Sequence, residues 1–285
     1  MRYLILLCLV IPFHSFAETS LWKVTHGTSK LFIGGTIHVL SESDYPLPKE
    51  FSHAYRQAQM LVFETDIKAM ANPDVQQQLV FKLMYQNGDT LKKNISSETY
   101  QKLSDYLLTI GVSIEMFNQL KPSMVSMTLL MMELQRLGMA NIGVDNYFLG
   151  LAVTDNRALG QLESVDLHIQ LLESLGKGQE DEMILNSIKE MEDLPILMEE
   201  LKAAWRTGNT KKLEEIGISA MKMDFPKLYQ SLLVNRNNAW LPKIEALLDT
   251  QEIEFVLVGA LHLVGEEGII SKLKKKGYKV EKFKD

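Results

Sequence analysis

The chain has 285 residues, with 36 Asp and Glu against 30 Lys and Arg, and a formal net charge of −6. Its cationic residues are scattered along an acidic background, which argues against a nucleic-acid partner because phosphate neutralisation requires clustered cations. The single cysteine, Cys8, lies in the N-terminal segment. A chain cleaved beyond it has no thiol, disulfide or thiolate metal ligand.

The N-terminus has the pattern of a secretory signal peptide over residues 1–17. Arg2 gives a positive start, residues 4–13 form an apolar run, and Ser15 and Ala17 place small residues where a signal peptidase needs them. The run is about half of the ~20 residues that a membrane span requires. We therefore expect export to the periplasm or beyond the cell. We also expect no membrane span in the mature chain, and one domain over residues 18–285.

Short apolar segments predict the strands of a single sheet. They are bounded by turn residues or by helical patterns, and the first two form a hairpin around residues 25–29. A helix over residues 48–59 joins two strands as a β-α-β unit, which favours a parallel pair. The predicted fold class is α/β, with a small mixed, mostly parallel central sheet flanked by helices. The predicted strands cover residues 21–24, 30–37, 60–64, 157–162, 254–260 and 278–283.

Long helical insertions separate these strands, at about residues 67–140 and 165–250. The first contains helices over 75–84 and 97–109, with Ser96 as a hydroxyl cap of the second of these helices. A helix over 121–138 is rich in methionine and apolar on most faces. Such a pattern is more typical of a buried helix than of a haem or copper site.

Two Gly-x-x-His motifs stand inside matching apolar frames, at residues 32–40 and 256–264. Each strand pattern runs into a glycine, Gly35 or Gly259, and a histidine follows three residues later, His38 or His262. A glycine at a strand end permits a sharp change of direction. We therefore expect both imidazoles to project into the crevice above the strand ends, where open α/β sheets bind ligands.

Carboxylates follow two other predicted strands. Glu64 and Glu163 stand where apolar runs stop, whereas Asp66 and Ser164 suit the role of helix caps. Imidazole nitrogen and carboxylate oxygen together suit Zn²⁺, Mn²⁺, Co²⁺ or Fe²⁺. An open site of this kind would activate water for hydrolysis near neutral pH.

These motifs resemble the TraB/GumN family, which includes PrgY and the TIKI proteins. The stretches that carry the resemblance are residues 21–24, 32–40, 63–66, 143–148, 162–164, 236–240, 258–265 and 277–280. The resemblance implies a fold similar to that of erythromycin esterases and ChaN-like haem-binding proteins, and a metal-dependent protease activity. It also implies that His38, His262 and Glu64 surround the site, that Arg236 is their cationic partner, and that Asp145 and Glu163 occupy patterned positions.

The leading hypothesis is a metal-dependent hydrolase that acts on a peptide or a small molecule. Its divalent cation would be bound by His38, Glu64 and His262. Arg236 would steady the charge on the carbonyl oxygen, with Glu163 as a further site residue. The alternatives are a non-catalytic binder of haem, metal or peptide, and an erythromycin-esterase-like ester hydrolase. The pattern around His168 favours an ordinary polar-face residue. Substrate, metal and oligomeric state stay open.

Overall fold

A computed structural model describes residues 19–139 and 141–284, so the predicted signal peptide lies outside the described residues. The described part contains a six-stranded sheet in the order β6-β4-β7-β2-β1-β8 and a separate pair, β3 with β5. The strands are β1 (Leu21–His26), β2 (Ser29–Thr36), β3 (Val39–Leu40), β4 (Met60–Phe63), β5 (Asn141–Ile142), β6 (Ala158–Gln161), β7 (Glu254–Gly259) and β8 (Lys279–Lys282).

Helices cover both ends of the sheet and form the two insertions. The α-helices are α1 (Lys49–Gln57), α2 (Ile67–Met70), α3 (Pro73–Leu83), α4 (Leu91–Asn94), α5 (Ser97–Thr109), α6 (Pro122–Arg136), α7 (Val144–Thr154), α8 (Val165–Ser174), α9 (Glu180–Arg206), α10 (Thr210–Glu214), α11 (Ala220–Asp224), α12 (Pro226–Tyr229), α13 (Asn235–Leu247) and α14 (Ile269–Lys275). The segments Glu215–Ser219 and Gln230–Val234 are π-helical. Within the described residues, no helix combines the length and the apolar character needed to cross a bilayer.

Four neighbouring strands of the sheet, β6, β4, β7 and β2, are parallel to one another. At one edge, β1 pairs antiparallel with β2 on one side and with β8 on the other. This mixed, mostly parallel sheet confirms the predicted fold class. The strands that flank α1, β2 and β4, are parallel as expected, but β7 lies between them. Residues 254–258 of β7 are buried. An apolar strand of this kind is stable where both of its edges and both of its faces are covered.

The fold contains two hydrophobic cores. One surrounds the sheet, where the rings of Phe51, Phe148 and Phe255 pack against one another with centroids 5.6–6.2 Å apart. The other lies among the helices of the insertions, chiefly α5, α6 and α9. The Met-rich helix predicted over 121–138 as a buried helix is buried on one face and exposed on another. Leu130 and Met131 of α6 are 37% and 50% exposed, because only one face of this helix packs against α9.

The predicted caps are confirmed. The side chain of Ser96 accepts a hydrogen bond from the Thr99 amide at 3.1 Å. Asp66 accepts one from Ala69 at 2.8 Å, and Ser164 caps the first turn of α8 in the same way. Each cap satisfies an amide that has no partner inside its helix. Asp66 and Ser164 are therefore committed to the backbone, which leaves Glu64 and Glu163 as the strand-end groups available for a site.

The C-terminus of α9 anchors the first Gly-x-x-His motif. Trp205 donates its indole N–H to the Gly35 carbonyl at 2.6 Å, and the Gly35 amide donates to the Ser20 carbonyl at 2.7 Å. A Cβ on Gly35 would lie 3.1 Å from the Cα of Ala260. Glycine here lets β2 approach the turn that follows β7 closely, so the two motifs are held side by side.

Candidate active site at the ends of the parallel strands

The predicted site residues meet at one edge of the sheet. Glu64, Glu163 and His38 follow the carboxyl ends of β4, β6 and β2, and His262 lies in the 3₁₀ turn Ala260–Leu263 after β7. Because these four strands are parallel and adjacent, their carboxyl ends share an edge. Arg236, on the first turn of α13, reaches the same place from the second insertion. The five predicted residues are thus brought together.

The guanidinium of Arg236 lies at the centre of the cluster and bonds to every neighbour. It donates to Glu163 twice, from Nε at 3.1 Å and from Nη2 at 2.8 Å, and Nη2 also donates to Oε2 of Glu64 at 2.6 Å. Nη1 donates to Nε2 of His262 at 3.1 Å and to the Leu232 carbonyl at 3.4 Å. An arginine has five N–H groups, so each has an acceptor. An oxyanion could accept from Arg236 only by displacing one of them.

Glu64 is held as a buried carboxylate anion. Its Oε1 accepts the Gly259 amide N–H at 2.7 Å, while Oε2 accepts from Arg236. Burial alone would raise the pKa of Glu64, but the neighbouring His262, Arg236 and His38, together with the Gly259 amide hydrogen bond, outweigh that effect and hold the pKa well below its usual range. The site therefore contains a permanent negative charge on an oxygen that faces the crevice.

His262 is neutral, with its proton on Nδ1. Burial lowers the pKa of this imidazole to about 4. The side-chain amide of Asn237 donates to the carbonyls of His262 and Glu267 at 3.2 and 2.9 Å, which turns its Oδ1 toward Nδ1 of His262 at 2.7 Å. Since an oxygen acceptor faces Nδ1 and the donor Arg236 faces Nε2, the lone pair lies on Nε2. That lone pair is directed into the site.

His38 differs from His262 in exposure and in charge. Its side chain is 66% exposed, and its Nδ1 donates to Oδ2 of the buried Asp145 at 2.8 Å. The charge of Asp145 raises the pKa of His38 to about 9, although burial of part of the ring opposes the shift. His38 is therefore protonated at neutral pH. Solvent reaches the ring, so water screens the pair and limits what it adds to stability.

The sequence Gly143-Val144-Asp145 positions this acidic partner. A Cβ on Gly143 would lie 2.2 Å from the His38 carbonyl group, and the Val144 amide donates to the Ile37 carbonyl at 3.0 Å. Glycine is required at this contact because any side chain would overlap the backbone of the first motif. The start of α7 is thereby pressed against the loop after β2, which places the carboxylate of Asp145 beside Nδ1 of His38.

A small space above Gly259 borders three of the functional groups. A Cβ built on Gly259 would lie 3.3 Å from Oε1 of Glu64, 3.6 Å from Cδ2 of His262 and 3.7 Å from Nε2 of His38. Oε1 of Glu64 and Nε2 of His262 are 3.9 Å apart. The carboxylate and both imidazoles therefore converge beside Gly259, where even a methyl side chain would crowd Oε1 of Glu64.

The donor set of this space suits a divalent cation. His38, His262 and Glu64 offer two imidazole nitrogens and one carboxylate oxygen, and each imidazole has its Nδ1 tied to an oxygen, as the second shells of protein metal sites provide. In the described part of the chain, no three His, Asp or Glu side chains stand close enough to share an ion as they are arranged. Binding one requires the His262–Arg236 hydrogen bond to break and His38 to lose its Nε2 proton.

Three further residues of the site escaped the sequence analysis. Nδ1 of His168 lies 2.8 Å from Oε1 of Glu163, so the prediction of an ordinary polar-face residue is wrong. Trp240 donates its indole N–H to Oε2 of Glu163 at 3.1 Å, and its ring stacks on His262 with centroids 4.5 Å apart. Asn237 fixes the tautomer of His262. The signal for His168 was its place on the first turns of α8, directly after Glu163.

Comparison with known proteins agrees with the motifs. The chain is 25% identical over 242 residues to the protein YbaP of Escherichia coli strain K12, which is described as uncharacterized, and the match covers 84% of this chain and 86% of the relative. It is also 25% identical over 234 residues to YbaP of Shigella flexneri, with coverage of 81% and 83%. No solved structure matches the chain. The profile of the TraB/PrgY/gumN family matches residues 20–282, and the chain belongs to that family.

Proposed function

We propose that this protein is a metal-dependent hydrolase of peptide or related acyl bonds, with its active site in the space above Gly259. The observation that carries the proposal is the convergence of Oε1 of Glu64 and Nε2 of His38 beside Gly259, at 3.3 and 3.7 Å from the position that a Cβ of that residue would take, next to the ring of His262. The choice of a peptide bond rests on the family resemblance.

In this proposal His38, Glu64 and His262 would hold the cation, and binding would release the Nε2 proton of His38, because only a neutral imidazole has a lone pair for a metal. The chemistry that a bound divalent cation supplies is the activation of water near neutral pH. Glu163 and Trp240 keep the guanidinium of Arg236 in place, and Arg236 keeps Glu64 ionised. Asn237 keeps the Nε2 lone pair of His262 directed inward.

The substrate carbonyl would approach from the side of His38, because this is the exposed member of the cluster. Arg236 would stabilise the charge that develops on the carbonyl oxygen with one N–H of Nη1, after that group leaves Nε2 of His262. A single event, the loss of the Arg236–His262 hydrogen bond, would thus free both a ligand lone pair and an oxyanion donor. The contact is 3.1 Å long and joins the charged guanidinium to a neutral imidazole, so the two groups can separate without leaving a buried carboxylate unpaired.

A second candidate, hydrolysis without a metal, is favoured by the same hydrogen bond. As arranged, Nε2 of His262 is occupied by Arg236, whereas the pair of His38 and Asp145 is intact and open to solvent. His38 would then exchange a proton with water or the leaving group, as in an esterase that uses acid–base catalysis. The neutral His262 and the protonated His38 would supply the two protonation states that such catalysis needs.

The experiment compares hydrolysis by metal-loaded and chelator-treated protein. Fluorogenic peptides and nitrophenyl esters are tested after reloading with Zn²⁺, Mn²⁺ or Co²⁺, in the wild type and in His38→Ala, His262→Ala and Glu64→Gln. His26→Ala is the matched control, because His26 lies outside the site and packs edge-to-face against Tyr278, with ring centroids 5.2 Å apart. We expect metal-dependent turnover that falls by about 10²-fold or more in the three site variants and is unchanged in the control.

The other outcomes decide between the alternatives. Turnover that survives chelation but is lost in His38→Ala supports acid–base hydrolysis without a metal. A well-folded protein that hydrolyses neither substrate class with any metal contradicts both proposals. A Soret band on adding haem, lost in His38→Ala, would then support a non-catalytic binder.

A further inference from the structure

A cavity of about 510 Å³ lies among α6, α9, α12 and the segment that joins α8 to α9. Its apolar wall consists of Met127, Leu130, Met183, Met191, Phe225 and Leu228. None of the five predicted site residues lines it. Leu232, whose carbonyl accepts from Arg236, is the residue where the cavity wall meets the candidate active site.

The size and lining of the cavity are those of a small-molecule site. Protein ligand pockets have volumes of roughly 300–1,000 Å³ and are mostly apolar with a few polar groups. Methionine side chains adapt to the shape of an apolar ligand, and three of them line this wall. The exposed face of α6, which the sequence analysis expected to be buried, supplies Met127 and Leu130.

The wall also contains an unsatisfied hydroxyl. Ser123, on the first turn of α6, is 1% exposed and lines the cavity, and its Oγ has no hydrogen-bond partner among the described residues. A buried hydroxyl without a partner is destabilising. A rotation about χ1 would direct the hydroxyl at a ligand acceptor in the cavity and satisfy it.

The charged groups around the cavity favour a negatively charged ligand. Lys177 and Lys227 line it from two different elements, and neither ammonium has an ion-pair or hydrogen-bond partner within the described residues. Glu190 is the acidic residue of the same lining, so the two lysines outnumber it. An anionic head beside the lysines would complement this charge, while an apolar body fills the space among the methionines.

We infer that this cavity binds a single-chain amphiphile with an anionic head, of the class of a medium-chain carboxylate. The chain would occupy the methionine-lined wall, and the head would lie between Lys177 and Lys227 with Ser123 available as a donor. This site is distinct from the proposed hydrolytic centre, and the inference does not depend on the proposed function.

The test uses protein labelled with ¹³C at the methionine methyl groups, titrated with octanoate and decanoate below their micelle concentrations. We expect saturable shifts of the Met127, Met183 and Met191 signals, with the signals of Met60 and Met116 unchanged. Each added methylene should tighten binding about three- to fourfold, so decanoate should bind about tenfold more tightly than octanoate. Decyltrimethylammonium, with the same chain and the opposite charge, should bind at least fivefold more weakly than decanoate.

Variants separate the cavity from general adsorption of a surfactant. Leu130→Trp should fill the cavity and abolish the shifts, whereas Leu108→Trp, at a position 68% exposed on α5, should not. Lys177→Gln and Lys227→Gln, both at exposed positions, should each weaken decanoate binding about two- to fivefold. Lys274→Gln is the matched control. Any of three results would overturn the inference. The Met116 signal could shift in proportion to the others, decyltrimethylammonium could bind as tightly as decanoate, or saturable binding could be absent.

Discussion

Replacing Arg236 by methionine tests how the buried charges of the site are balanced. The guanidinium donates three hydrogen bonds to the carboxylates of Glu64 and Glu163. Methionine retains much of the apolar stem but removes the charge and the donors. Glu163 would keep His168 and Trp240 as partners. Glu64 would keep only the Gly259 amide.

The expected loss of stability follows from these contacts. Breaking a buried ion pair by removing one partner costs about 3–5 kcal/mol, since the remaining charge is buried without compensation. In a domain of this size such a loss lowers Tm by roughly 10 °C. The loss should shrink when Glu64→Gln is added to Arg236→Met, because the double variant has one uncompensated carboxylate fewer.

The loss should also depend on pH, with a definite sign. In the wild type, the pKa values of Glu64 and Glu163 are lowered, so their contribution is present above the unfolded pKa of about 4.3 and is lost as pH falls through the folded values. In Arg236→Met, burial dominates and raises both pKa values above the unfolded value. Protonation of the two carboxylates then stabilises the folded variant as pH falls. The difference in unfolding free energy between the wild type and Arg236→Met should therefore narrow from pH 7 to pH 4.5.

Urea unfolding at the two pH values measures this difference. Lys102→Met is the matched control, because Lys102 and its partner Glu98 are 53% and 76% exposed and pair within one helix turn at 2.7 Å. Solvent screens such a pair, so this control should lose much less unfolding free energy at pH 7 than Arg236→Met does. If Arg236→Met costs no more than Lys102→Met, or if its cost is the same at both pH values, the reasoning about the buried charges is refuted.

Three further predictions concern Gly259 and the two site histidines. Gly259→Ala should fold with a Tm within a few degrees of the wild type, because the backbone there has φ −49° and ψ 136°, which alanine can adopt. Its turnover should fall at least tenfold, because the added methyl group crowds the site. Gly150→Ala is the control, because an added Cβ there meets nothing within 4 Å. In an NMR titration, Asp145→Asn should lower the pKa of His38 from about 9 toward 6.5. The His38–Asp145 pair should add unfolding free energy below pH 6.5, and only the wild type should lose this contribution as pH rises through 9. In the same spectra His262 should stay neutral above pH about 4. A pKa of His38 that does not respond to Asp145→Asn would contradict the assigned partner.

The fold was predictable where local apolar patterns specify an element. The strands of the main sheet lie within a few residues of their predicted bounds, because each is a short apolar run between turn residues. The insertion of β7 between β2 and β4 was not predictable. It depends on pairing between segments about two hundred residues apart, which no local pattern encodes. The pair of β3 and β5 escaped because two residues show no periodicity, and the π-helical segments have no distinctive sequence pattern.

The candidate site was predictable in its main residues and not in its supporting ones. The matching frames around His38 and His262 predicted that both imidazoles converge at the strand ends, and both lie beside Gly259, although the local structures of the two motifs differ. β2 continues through Gly35 to Thr36, whereas β7 ends at Gly259 and a 3₁₀ turn follows. Asn237 escaped because a helical asparagine is usually solvated, and the carbonyls that orient it, at His262 and Glu267, come from a distant turn.

The most direct test of the account is the anomalous diffraction of crystals soaked in Mn²⁺ or Zn²⁺. The account predicts one anomalous peak above Gly259, within bonding distance of Nε2 of His38, Nε2 of His262 and a carboxylate oxygen of Glu64. It also predicts that the Nη1 group of Arg236 no longer contacts Nε2 of His262. Anomalous peaks confined to other parts of the surface, with the Arg236–His262 hydrogen bond intact at saturating metal, would contradict it.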